Sequence, residues 1–144
     1  MNAIAPPPSD LPVWLVAHEP LASALLAVAR HAYPDGARRL TAIDVGPAEA
    51  PEAIEARLQR LWGEQGQPPM LILTDVAGAT PHNAAQHWTA QHAPSRLVAG
   101  VNVPMLWRVL CYGHTQAPEA AECALAGGAR GVAAGSHPFD SCSA

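Results

Sequence analysis

The sequence predicts an α/β fold, a doubly wound, mostly parallel sheet with helices on both faces. Three observations predict it. Short apolar runs of strand type alternate with helical patterns in the order β-α-β-α-β-α-β-α-α, and such alternation builds a parallel sheet through right-handed crossovers. The run MLILTD, Met70 to Asp75, is apolar on both faces, as a central parallel strand must be. The 144 residues are 49% hydrophobic, enough for one core, with no repeat or linker to divide it.

The elements follow in order. Pro6-Pro7-Pro8 cannot continue a helix, so residues 1–11 read as a disordered lead-in to a domain over 12–135, with a tail at 136–144. PVWLVA, Pro12 to Ala17, is a buried-type strand that stops at His18-Glu19-Pro20. LASALLAVARHAY then has helical spacing, with Leu21, Leu25, Val28 and Ala29 on one face, up to the turn Pro34-Asp35-Gly36. LTAIDV, Leu40 to Val45, is the second strand and Gly46-Pro47 breaks it. Pro51 to Trp62 is an amphipathic helix with Ile54, Leu58 and Leu61 on its apolar face. After Met70 to Asp75, the loop VAGAT leads into a helix near Pro81. RLVAGV, Arg96 to Val101, is the fourth strand, and a helix starts at Pro104. The last helix is APEAAECALAG, and ARGVAAG behind it reads as either a short strand or more helix.

Composition excludes several functions. The net charge of −4 argues against nucleic-acid binding, which requires a basic surface. All eight basic residues are Arg, so no mechanism can use a lysine Schiff base or a P-loop lysine. No apolar run reaches the roughly 18 residues of a membrane span. The first residues lack the pattern of a signal peptide, so a cytoplasmic protein without membrane insertion is expected. Cys111, Cys123 and Cys142 have no metal-type spacing and read as reduced thiols.

In an open parallel sheet, ligands meet the carboxyl ends of the strands at a topological switch point. The residues there are His18 after the first strand, Asp44 at the end of the second, and Asp75 with Gly78, Thr80 and Asn83 after the third. The fourth contributes Asn102 and Pro104. A carboxylate that accepts the proton of one imidazole nitrogen fixes the tautomer and leaves the other nitrogen as a nucleophile, which suits a phosphoryl acceptor. Loop N–H groups and the helix N-terminus after Thr80 can hold phosphoryl oxygens. Plainer roles stand beside these. Asp75 can simply cap its turn, Glu19 can be a solvated charge, and His82 lies close enough to line the site. His31, His87 and His92 fall at ordinary helix positions, His114 and His137 fall in loops, and the four Trp residues suit a core or an interface.

Two segments carry a resemblance. Leu73-Thr74-Asp75-Val76-Ala77-Gly78-Ala79-Thr80-Pro81-His82-Asn83-Ala84 is similar to the L-x-D-x-x-G-G-[ST]-P-x-N-A motif of the mannose-type IIA components of the sugar phosphotransferase system. Gly100-Val101-Asn102-Val103-Pro104-Met105-Leu106 matches that family's G-V-N-[LIV]-P-M-L. The likeness spans roughly residues 12–135. It implies that His18 takes a phosphoryl group from phospho-HPr and passes it to a separate IIB protein during carbohydrate uptake. Asp75 would orient His18. Gly78, Thr80, Asn102 and Pro104 would shape the phosphoryl site, with Glu19, Ala79, His82 and Asn83 as further lining. The resemblance further implies a homodimer, a fifth, antiparallel strand at ARGVAAG, and no metal or other cofactor. Three residues depart from the pattern: Glu19 replaces the glycine after the histidine, Ala79 a loop glycine, and His82 a common aromatic. They give weight to a second reading, a phosphorylation-switched regulatory module that acts on a protein target without transport. The phosphoryl-donor subunit of dihydroxyacetone kinase, of similar fold, ranks third.

Overall fold

The computed structural model describes residues 11–135. Residues 1–10 of the lead-in expected over 1–11, the tail from 136, His137 and Cys142 lie outside the described residues, whereas Leu11 is buried in the core and its N–H donates to His114 O at 2.9 Å. The elements are β1 (Val13–His18), α1 (Leu21–Ala32), a short 3-10 turn (Gly36–Arg39), β2 (Leu40–Val45), α2 (Pro51–Glu64), β3 (Leu71–Thr74), α3 (Thr80–Ala90), β4 (Arg96–Ala99), α4 (Val103–Cys111) and α5 (Ala117–Arg130). Pro51, Pro81, Pro104 and Pro118 each sit in the first turn of a helix, where a missing N–H costs nothing.

The four strands are parallel in the order β2-β1-β3-β4. The chain therefore winds from β1 outward to β2, then crosses back past β1 to β3. The switch point lies between the carboxyl ends of β1 and β3. Strand side chains alternate faces, so β1 feeds two cores. Leu15 and Ala17 pack with Leu71 and Leu73 beneath α1, α4 and α5. Trp14 and Val16 pack with Ile72 beneath α2 and α3, where Ile54, Leu58, Ala85 and Trp88 close the layer. Each fully buried Leu or Ile contributes roughly 1.5–3 kcal/mol, which makes the two layers the main stabilising term.

Three expectations need correction. On α1 the buried face is Ala22, Leu25, Leu26 and Ala29, while Leu21 and Val28 are exposed. Helical spacing permits either stripe, and contact with the sheet selects the one carrying the small Ala22. The antiparallel strand expected at ARGVAAG is not formed among the described residues. Ala129 and Arg130 end α5, and 131–135 are not extended in a sheet. Gly127, Gly128 and Gly131 let this end of α5 lie directly on α4. A Cβ at Gly131 would stand 2.1 Å from Pro104 Cβ, and one at Gly127 2.4 Å from Arg108 Cβ. Finally, Cys111 is disulfide-bonded and not a reduced thiol. Pairing depends on which cysteines meet in space, and an odd count without spacing does not reveal that. Cys123 is a free thiol directed at Arg108 O, and burial pushes its pKa up.

Trp14 and Trp88 stack in the second core with ring centroids 5.6 Å apart, in keeping with a core role. No helix among the described residues is long and apolar enough to cross a membrane.

Candidate active site

Residues 57 apart in sequence meet at the switch point. β1 pairs with β3 only up to Val16 opposite Thr74, while it pairs with β2 as far as His18 opposite Val45. His18 therefore extends past the end of β3, next to the loop that Asp75 begins. The His18 backbone N–H donates to Asp75 Oδ2 at 3.0 Å, and Nδ1 of the ring lies 2.6 Å from the same oxygen. Val76 N–H donates to the other oxygen, Oδ1, at 2.8 Å. The His18 side chain is 52% exposed and that of Asp75 11%.

The electrostatics follow from these contacts. Burial would raise the Asp75 carboxyl, but hydrogen bonds from the His18 N–H, the His18 ring and Val76 N–H, with the His18 charge, outweigh it. The carboxyl is held below its ordinary 3.8. An ionised carboxylate only accepts hydrogen bonds, so Nδ1 carries the proton. The lone pair of a neutral His18 is then on Nε2. One side of the ring is fixed, and the ring itself is half-exposed.

The loop after Asp75 is folded back on itself. Gly78 has φ +91°, a left-handed conformation that a side chain would strain. Asn83 reaches back from the first turns of α3, its amide donating to Gly78 O at 2.9 Å. Ala79 is the N-cap residue of α3 and supplies no side-chain cap, and Pro81 has no N–H, so the donors left open at the start of that helix are the N–H groups of the exposed Thr80 and of His82.

The other residues singled out from the sequence fall elsewhere. His82 is 8% exposed and packs under the loop, Nδ1 2.9 Å from Thr74 Oγ1, so it supports the end of β3 from beneath. Asn102 caps α4, Oδ1 accepting from Met105 N at 2.8 Å, and its amide donates to Gly128 O at 3.1 Å. Pro104 lies against Gly131. Both residues join α4 to α5 at the carboxyl end of β4. Glu19 is exposed beside His18. His87 pairs with Glu55 at 2.5 Å and His92 stacks on Trp88, away from the strand ends.

Sequence reasoning missed a brace behind the histidine. Helix α1 has no side-chain cap of its own. Asp44 of β2 supplies one across the sheet, accepting from Ser23 N at 3.0 Å and from Ser23 Oγ. Arg57 then locks the β2–α2 loop, donating to Asp44 O at 2.8 Å and to both oxygens of Glu49, which itself accepts from Gly46 N. The available signal was a helix that opens on Pro20 with a serine at its third residue and no local capping group.

The fold and site define an α/β domain that presents an oriented, half-exposed imidazole at the switch point of a parallel sheet. The family model described as PTS system fructose IIA component, EIIA-man, matches residues 13–124. The chain belongs to this family of phosphotransferase-system IIA components, of the mannose type. The mannose/sorbose specific IIA subunit of the phosphotransferase system from Enterococcus faecalis is similar in structure, with TM-score 0.82 and 23% identity over 92% of this chain and 99% of that one. The phosphotransferase system component EIIA from Streptococcus agalactiae gives TM-score 0.76 and 16% identity over 86% and 96%. The PTS IIA protein associated with the fucose utilization operon of Streptococcus pneumoniae gives 0.66 and 20% over 81% and 90%. No curated protein shows a sequence match to the chain.

Proposed function

We propose that this protein is a phosphoryl carrier. His18 Nε2 accepts a phosphoryl group from phospho-HPr and passes it to a separate IIB protein during carbohydrate uptake. The observation that carries the reading is the 2.6 Å contact between His18 Nδ1 and Asp75 on a ring that is still half-exposed. In the transfer, the Nε2 lone pair attacks phosphorus as the P–N bond to the donor breaks, and that electron pair returns to the donor nitrogen. The His18 ring keeps its Nδ1 proton and becomes a phospho-imidazolium paired with the Asp75 carboxylate. The N–H groups opening α3 receive the phosphoryl oxygens. The same steps run in reverse toward the acceptor. An exposed site suits transfer between proteins, and Leu21, Val76 and Val103 stand exposed at strand-end positions on the same face.

The family's dimer is part of the proposal. β4 is an edge strand that pairs only with β3 among the described residues, so a second chain would find free backbone groups there.

The test is labelling from phosphoenolpyruvate with purified enzyme I and HPr, comparing wild type with His18→Ala. Acid-labile label on wild type, absent from the variant and removed on adding a IIB protein, is the expected result. Wild type that stays unlabelled refutes the phosphocarrier reading. Label that depends on His18 but that no IIB protein removes favours the regulatory module.

A further inference from the structure

Building on the phosphocarrier reading, we infer that Glu19 is a specificity residue. It selects a carrier protein that presents a cationic side chain beside its phosphorylated group. Glu19 follows His18 directly and is exposed. Its backbone is pinned, the N–H donating to Val45 O at 3.0 Å. Its carboxylate oxygens lie over the β2–α2 loop, 3.9 and 4.0 Å from where a Gly46 Cβ would stand. Pro20 N-caps the next helix, whose start Asp44 holds through Ser23. The charge is thus held near the reactive ring by a braced backbone.

That charge has no counter-ion in the described structure. Arg57, on the helix that follows the same loop, is already engaged by Glu49 and by Asp44 O. Arg38 and Arg39 precede β2 and Arg96 opens β4, all at the amino end of the sheet, and Arg30 lies in the last turn of α1. Arg60 pairs with Glu64, and Arg108 lies over the Tyr112 ring. Arg130 ends α5, which lies beside α4 over the β3–β4 half of the sheet, on the side away from β2. The side of His18 toward β1 and β2 therefore carries the carboxylates of Glu19 and Asp44, and no arginine is paired with Glu19 among the described residues.

A phosphoryl group brings about two negative charges to a site that already holds Asp75 and Glu19. A carrier with an Arg or Lys flanking its phosphorylated residue neutralises the phosphoryl group and Glu19 together. A carrier with an acidic flank is repelled, and repulsion of this kind sets specificity as strongly as attraction. The exposed Leu21, Val76 and Val103 add apolar contact without choosing between partners.

The experiment measures initial rates of His18 phosphorylation by phospho-HPr at several salt concentrations. It uses the full chain, Glu19→Gln, Glu19→Arg, and Asp35→Asn as a control that removes the same charge before β2. Glu19→Gln should raise KM for phospho-HPr about threefold to fivefold, leave kcat within about twofold, and flatten the salt dependence. Glu19→Arg should raise KM about tenfold or more. Asp35→Asn should match wild type. Unchanged KM and salt dependence in both Glu19 variants, with wild type labelled normally, overturns this inference alone. A loss confined to kcat also overturns it, since the residue then acts on the chemical step or on the fold. Wild type that takes no label overturns it together with the phosphocarrier reading.

Discussion

Replacing Asp75 by Asn tests the site most directly, because the change is isosteric and the contacts are specific. Asp75 accepts three hydrogen bonds, two on Oδ2 from His18 and one on Oδ1 from Val76 N–H. An amide has one oxygen. If that oxygen faces His18, the amide NH2 confronts the Val76 N–H and the loop loses its anchor. If the NH2 faces His18, it confronts the His18 N–H and pushes the ring proton to Nε2, which destroys the nucleophile. Either way the phospho-imidazolium loses its counter-charge. A unit charge pair about 4 Å apart at an effective dielectric near 20 is worth about 4 kcal/mol. The positive charge is only partly developed in the transition state and the ring is half solvated, which leaves about 2 kcal/mol, roughly a 30-fold loss of rate. Rapid-quench phosphorylation by phospho-HPr measures this, with circular dichroism to confirm the fold and nitrogen NMR of His18 to report the tautomer. A variant that phosphorylates within about threefold of wild type would show that Asp75 is only a loop anchor.

Other outcomes follow from neighbouring contacts. Asp44→Ala removes the cap that β2 lends to α1 and should cost about 1–2 kcal/mol in denaturant unfolding, with Asp44→Asn recovering part of it; equal stability of all three proteins would remove Asp44 from the brace. Gly127→Ala places a Cβ 2.4 Å from Arg108 Cβ and should destabilise by about 1–3 kcal/mol through overpacking of α4 against α5, whereas no change in unfolding midpoint would mean the two helices part freely. Because the folded state holds the Asp75 carboxyl below 3.8, its contribution to stability is complete above that unfolded value and is lost as the pH falls through the folded one. The stability gap between wild type and Asp75→Asn should therefore close in acid, and a gap that persists below that range would contradict the linkage.

Much of this protein was legible in its residues alone. Element types and order follow from local period. Leu40 to Val45 is the observed second strand, and Pro51 opens the second helix as its spacing requires. His18 and Asp75 stood out because each follows a strand, and residues after parallel strands face the ligand side. The resemblance in the LTDVAGATPHNA and GVNVPML segments then placed the chain in its family. Tertiary structure alone decided the rest. The order β2-β1-β3-β4 puts β1 beside β3 and turns two separate residues into a hydrogen-bonded pair. It assigns Asp44 to cap a helix from another strand, Asn102 to join two helices, and His82 to a buried bond with Thr74. It buries Ala22 and Leu26 where periodicity favoured Leu21 and Val28, and keeps 129–130 helical because three glycines let α5 rest on α4. The division has one physical cause. Period and turn chemistry act over a few residues and are written in local sequence, whereas capping across a sheet, choice of helix face and disulfide pairing depend on which distant surfaces meet.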